Sequence, residues 1–124
     1  MTRPSARRLL IPVALIAMAA GTAACSSNAS SGPETAITAT DSECNVGVAG
    51  TLVRGNNTFV VANKGDKVTE VYVYGAADKV IEEKENIGPG TTVKFSASLP
   101  AGDYQIACKP GQTGNGIRQK VTVR

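Results

Sequence analysis

Pro100-Ala101-Gly102-Asp103-Tyr104-Gln105-Ile106-Ala107-Cys108 runs straight into Lys109-Pro110-Gly111-Gln112, then Gly114-Asn115-Gly116-Ile117, and the chain closes on Val121-Thr122-Val123. Leu99-Pro100-Ala101-Gly102-Asp103 is a turn that a helix would not tolerate. Tyr104, Ile106 and Cys108 share one face of an extended segment, opposite Asp103, Gln105 and Ala107, and Val121 and Val123 share the core side of the last one. Moving upstream, Thr91–Leu99 alternates cleanly. Val93, Phe95, Ala97 and Leu99 lie on one side, and Thr92, Lys94, Ser96 and Ser98 on the other. Gly88-Pro89-Gly90 is turn chemistry and no phosphate cradle, since no helix start follows it. Val68–Tyr74 sets Val71 and Val73 against Glu70, Tyr72 and Tyr74. Val80-Ile81 reads as a short strand, and Thr58–Ala62 as another between Gly55-Asn56-Asn57 and Asn63-Lys64-Gly65-Asp66. Ile37–Asp41 and Leu52-Val53 fit edge strands. Seven or eight short strands with regular turn signals predict an all-β, Greek-key β-sandwich.

Composition narrows the function. Of 13 Lys and Arg, three (Arg3, Arg7, Arg8) precede residue 24, leaving ten bases against ten acids in the rest of the 124-residue chain. A neutral body has no basic face for nucleic acid. The chain has no His. That excludes Ser-His-Asp and Cys-His catalytic sets, the common zinc sites and His-ligated blue copper, and it removes the usual general base at neutral pH. No enzyme is expected. The mature length suffices for one domain with a modest core.

Met1–Arg8 is a charged stretch, Leu9–Ala20 an apolar run, and Thr22-Ala23-Ala24 leads small residues into Cys25. This is the layout of a secretory signal peptide, and a Cys at the cleavage point resembles a bacterial lipoprotein signal, with Thr22 where Leu is commonest. The apolar run is shorter than the ~20 residues a bilayer-spanning helix needs. The expected organisation is a signal peptide over 1–24, a lipidated Cys25 and polar tether over 25–35, and a folded head over 36–124. The lipid would hold the head at the outer face of the cytoplasmic membrane, at the cell surface or in the periplasm. Disulfides form in that compartment. With Cys25 given to lipid, Cys44 and Cys108 remain, an even pair that reads most simply as a disulfide and otherwise as two thiols ready for metal.

The Tyr104-to-Cys108 strand, the loop after it and the closing strand resemble the ending of a cupredoxin, in which Gly-x-Tyr-x-x-x-Cys leads into a ligand loop. Cys108 keeps the Cys position, Gln112 stands where the loop His would be, Ile117 where the Met would be, and Glu70 at the place of the first His. A type 1 copper site is therefore not expected. A narrower resemblance is carried by Val80-Ile81-Glu82-Glu83-Lys84-Glu85-Asn86-Ile87-Gly88-Pro89-Gly90 together with Asp41-Ser42-Glu43-Cys44, Asn63, Glu70 and Cys108. These residues resemble the EfeO-type cupredoxin-like domain over about residues 36–124.

The resemblance implies a domain of an iron-uptake system that binds iron or copper. It implies Cys44, Glu70, Glu85 and Cys108 as metal ligands, with Glu82 or Glu83 able to stand in for Glu85. An iron-uptake permease or a helical metal-binding protein is the implied partner, beside the membrane reached through Cys25. In full-length relatives a helical peptidase-like domain follows; none follows Arg124, so a stand-alone form is expected. Thiolates suit copper, and carboxylates suit Fe³⁺ or Cu²⁺. Against this stand plainer readings. Cys44–Cys108 would be a staple, Glu82, Glu83 and Glu85 a solvated strand edge, Gln112 a polar loop residue, and Tyr72 and Tyr74 surface packing. The protein would then be a disulfide-closed interaction module of the cell envelope without metal.

Overall fold

A computed structural model describes residues 32–47 and 52–124. The expected signal peptide, Cys25 and most of the tether lie outside the described residues. Among the described residues eight strands form: β1 Glu34–Ala39, β2 Cys44–Gly47, β3 Gly55–Asn63, β4 Thr69–Tyr74, β5 Val80–Ile87, β6 Thr92–Leu99, β7 Gly102–Cys108 and β8 Ile117–Val123. They make two four-stranded sheets, ordered β2-β1-β3-β6 and β5-β4-β7-β8. The chain passes between sheets at β3 to β4, β5 to β6 and β6 to β7, giving the Greek-key sandwich. Every pairing is antiparallel except β1 with β3.

The alternation of side chains decides what is buried. Ile37, Phe59, Val61, Leu99 and Ala97 from one sheet meet Val71, Val73, Ile106, Val121 and Val123 from the other, and all are buried. Phe59 stacks on Phe95 with ring centroids 5.2 Å apart. Leu52 is not in a strand. It makes a single parallel bridge to Val123 and fills the core beneath β8.

Leu52-Val53 is therefore no edge strand, and two more expectations on individual strands change. Ile37–Asp41 is no edge strand: β1 ends at Ala39 and lies between β2 and β3, because the short Cys44–Gly47 strand covers its outer side. Val80-Ile81 is no short strand either. β5 continues through the acidic run to Ile87, since its backbone pairs with β4 whatever its side chains do. As an edge strand with Glu82, Glu83 and Glu85 exposed, it carries the charges that discourage further pairing.

The turns follow their residues. Pro89 and Gly90 occupy the centre of a Gly88–Thr91 turn closed by Thr91 N–H to Gly88 O at 3.2 Å; Gly90 has φ 72°, the left-handed backbone that a type II turn requires there. The Tyr104 hydroxyl donates to Pro100 O at 2.8 Å and pins the entry to β7.

Candidate metal site

One end of the sandwich gathers the turn between β1 and β2, the β3–β4 loop, the β5–β6 turn and the loop after β7. Asn63 is the hub. It is 1% exposed, and its Nδ2 donates to Lys67 O and to Ile87 O, each at 2.8 Å. Its Oδ1 accepts from Gly65 N–H at 3.0 Å. The Asp41 carboxylate accepts from the backbone N–H groups of Asp66 and Lys67. The β7–β8 loop folds back tightly. A Cβ on Gly116 would sit 2.9 Å from Lys109 Cγ and 3.0 Å from Cys108 O, so only glycine fits there.

At this end Cys44, the first residue of β2, and Cys108, the last of β7, are joined in a disulfide with Cα atoms 5.5 Å apart and a sequence separation of 64. Both are buried, and the bond ties one sheet to the other. Cys108 pairs with Val71 on the core side of β4. Glu70, the neighbour of Val71, therefore projects to the outer face of the same sheet.

Glu85 is near Glu70 and far from the sulfurs in this sense of faces. Thr69 pairs with Ile87 and Val71 with Lys84, so Glu85 and Asn86 together stand opposite Glu70 in a β-bulge, with Asn86 at φ 56°. The four residues implied as ligands thus form two pairs, Cys44 with Cys108 inside and Glu70 with Glu85 outside. Among the described residues, no group of three or more Cys, Asp or Glu side chains is placed to hold an ion. A type 1 copper centre does not fit this donor set: the chain lacks His, the Cys108 sulfur is bonded to Cys44, Gln112 is an exposed residue of a single 3-10 turn, and Ile117 packs against the core.

The outer face around Glu70 is chemically the richer place. Glu70 is 9% exposed, an unusual depth for a carboxylate. Tyr72, two residues on, shares its face, with its hydroxyl in reach of the Glu70 charge. The pull of the Glu70 carboxylate on the phenol proton first, then burial, then the negative charges of Glu70, Glu83 and Glu85 hold the Tyr72 hydroxyl well above the ordinary tyrosine range. Tyr72 stacks on Tyr74 at 5.5 Å between centroids. The Lys109 ammonium lies 3.8 Å from the Tyr72 centroid and the Arg118 guanidinium 4.3 Å from that of Tyr74. Arg118 also pairs with Asp78 at 2.6 Å. Tyr72 had no ligand role in the sequence reading, and Lys109 and Arg118 none at all. The period-two spacing of Glu70, Tyr72 and Tyr74 was the signal available for the first.

The comparisons agree with this architecture. The model of the cupredoxin-like domain family matches residues 10–123. The chain is 35% identical over 102 residues to the iron uptake system component EfeO of Yersinia pseudotuberculosis serotype I, covering 82% of this chain and 26% of that protein. It is 33% identical over 81 residues to the iron uptake system component EfeO of Escherichia coli K12, covering 65% of this chain and 21% of that one. The chain therefore spans about a quarter of the length of these curated relatives. Among solved structures, auracyanin A, a "blue" copper protein from Chloroflexus aurantiacus, superposes with a TM-score of 0.55 at 19% identity, over 75% of this chain and 100% of its own. Dithionite-reduced auracyanin from Roseiflexus castenholzii gives 0.54 at 16% identity, over 74% of this chain and 95% of its own. At such identities the likeness is one of fold. Strand order, the matched span and the similarity to EfeO together establish that this chain belongs to the cupredoxin-like domain family, in its EfeO-type form.

Proposed function

We infer that this chain is an exported iron-handling domain, held by a lipid on Cys25 at the outer face of the membrane, that captures Fe³⁺ as cargo and passes it to a permease or a helical metal-binding partner. The organisation into a signal over 1–24, a tether over 25–35 and a head over 36–124 belongs to this reading. So does a role in binding without catalysis. The observation that carries it is the Glu70–Tyr72 pair: a carboxylate 9% exposed, on the same sheet face as a phenol on which the charges of Glu70, Glu83 and Glu85 act. Carboxylate and phenolate oxygens are hard donors, which favours Fe³⁺ over Cu⁺. Cys44 and Cys108 enter as ligands only where their bond is reduced, and copper is then the better match.

Equilibrium dialysis of the exported chain against Fe³⁺-nitrilotriacetate tests this. Wild type retains iron and shows a visible phenolate-to-iron absorption band. Glu70→Gln loses most of the retention, and Tyr72→Phe loses the band. Retention equal in wild type, Glu70→Gln and Glu85→Gln overturns the oxygen-donor site.

A second reading is the disulfide-closed envelope interaction module without metal. The Cys44–Cys108 bond and the lack of a three-ligand cluster among the described residues favour it. It predicts no free thiol, with Cys25 blocked by lipid and Cys44 bonded to Cys108, and no iron retained at any concentration near that of the protein.

A further inference from the structure

Lys109 follows Cys108 and stands directly opposite Glu70. The two exchange both backbone hydrogen bonds, Glu70 N–H to Lys109 O at 3.3 Å and Lys109 N–H to Glu70 O at 2.8 Å. Directly opposed residues of an antiparallel pair present their side chains on the same face. The Lys109 ammonium nevertheless makes no ion pair among the described residues. It sits on the Tyr72 ring at 3.8 Å, with the Tyr74 ring at 5.8 Å. It is thus a positive charge parked over the phenol on the Glu70 face, where the negative charges acting on Tyr72 come from Glu70, Glu83 and Glu85.

We propose that Lys109 is the resident cation of this face: its ammonium occupies the position of positive charge beside Glu70 and Tyr72, and incoming Fe³⁺ must displace it. The proposal rests on the iron reading above and adds to it what sets the capture threshold. A metal ion bound by Glu70 and the Tyr72 oxygen would lie within a few ångströms of the ammonium, where like charges repel strongly because the carboxylate is shielded from water. Only the side chain has to move. The loop is held by Gly111 N–H to Val68 O at 2.8 Å and Gln112 N–H to Lys109 O at 2.9 Å, while the four-carbon lysine stem swings freely. Removing the charge therefore tightens metal binding, which is the opposite of what loss of a ligand or of a structural contact would do.

The experiment uses the full exported chain as wild type, Lys109→Gln and Tyr72→Phe, with Fe³⁺-nitrilotriacetate for affinity and diamagnetic Ga³⁺-nitrilotriacetate for NMR. Lys109→Gln should bind Fe³⁺ roughly two- to thirty-fold more tightly, the range set by the cation–π contact it no longer has to break. In wild type the Lys109 ε-methylene protons should be shifted upfield by the Tyr72 ring current and return to the unstacked position as Ga³⁺ saturates. Tyr72→Phe keeps the ring, so it should keep the upfield shift while losing its response to Ga³⁺; this also reports that the variant is folded. Two outcomes overturn the gate while leaving the iron reading standing. One is Glu70-dependent iron binding that is unchanged or weaker in Lys109→Gln, and the other is an ε-methylene shift that persists at saturation. If neither wild type nor Lys109→Gln retains Fe³⁺, the iron reading falls and the gate with it.

Discussion

The sheet β2-β1-β3-β6 turns Ala36, Thr38, Val60, Ala62 and Ser96 outward, whereas β5-β4-β7-β8 turns out Glu70, Tyr72 and Tyr74, with Lys109 and Arg118 lying over the rings. Both sheets follow the same alternation and bury the same kinds of residue inside. The first has small side chains and one exposed ion pair, Lys94 with Glu34. The second carries stacked aromatics, two cations and a carboxylate buried almost completely. The contrast teaches that the sandwich needs only the inner faces for its core, so the outer face of one sheet is free to hold costly polar groups.

Cutting the tie between the two sheets should have the largest effect. Replacing Cys44 and Cys108 together by Ala removes a closure of 64 residues, worth about 4 kcal/mol in the chain-entropy model. The urea midpoint of the double variant measures it, and a midpoint within error of wild type would mean that the interleaved cores hold the sheets alone. Asn63 is the polar counterpart of that tie, since it runs from the end of β3 to Ile87 O in β5. Asn63→Ala leaves two carbonyls and the Gly65 N–H without their partner, and should cost about 2–3 kcal/mol in the same measurement.

The outer faces separate at smaller magnitudes. Arg118→Ala removes both the Asp78 pair and the contact with Tyr74, and about 1 kcal/mol should be lost. Lys94→Ala breaks an exposed pair with nothing stacked on it, and less than about 0.5 kcal/mol should follow. Equal losses would erase the distinction between the faces.

The gentlest probe is pH. A phenol held above its ordinary value binds its proton more tightly when folded. Its contribution is complete below the unfolded tyrosine pKa of about 10 and is lost as pH rises beyond it. The wild type should lose stability above that pH with a slope that Tyr72→Phe flattens; parallel curves would place the phenol in water.

Much of this was legible in residues. The clean alternation of Thr92–Leu99 and Tyr104–Cys108 gave strands with their buried sides, and Gly88-Pro89-Gly90 gave its turn. The acidic run of β5 was underread, because charged residues carry no hydrophobic period even when their backbone pairs. The candidate ligands were found by resemblance as a set of four, although the alternation of Val68–Tyr74 already set Glu70 on the face opposite Val71 and Val73. Val71 and Glu70 are adjacent, and that single step separates the disulfide side of the sheet from the carboxylate side.

Sequence by itself determined the class of fold, the absence of imidazole chemistry and the evenness of the internal cysteine pair, since these follow from composition and from a period of two. Tertiary structure alone decided that Cys44 and Cys108 meet across the sheets, that Glu85 comes opposite Glu70 through a bulge, and that Lys109 lies over Tyr72. The physical reason is register. Which residues of two distant strands face each other depends on how loops close and where one residue is inserted, and no local pattern in either strand encodes it.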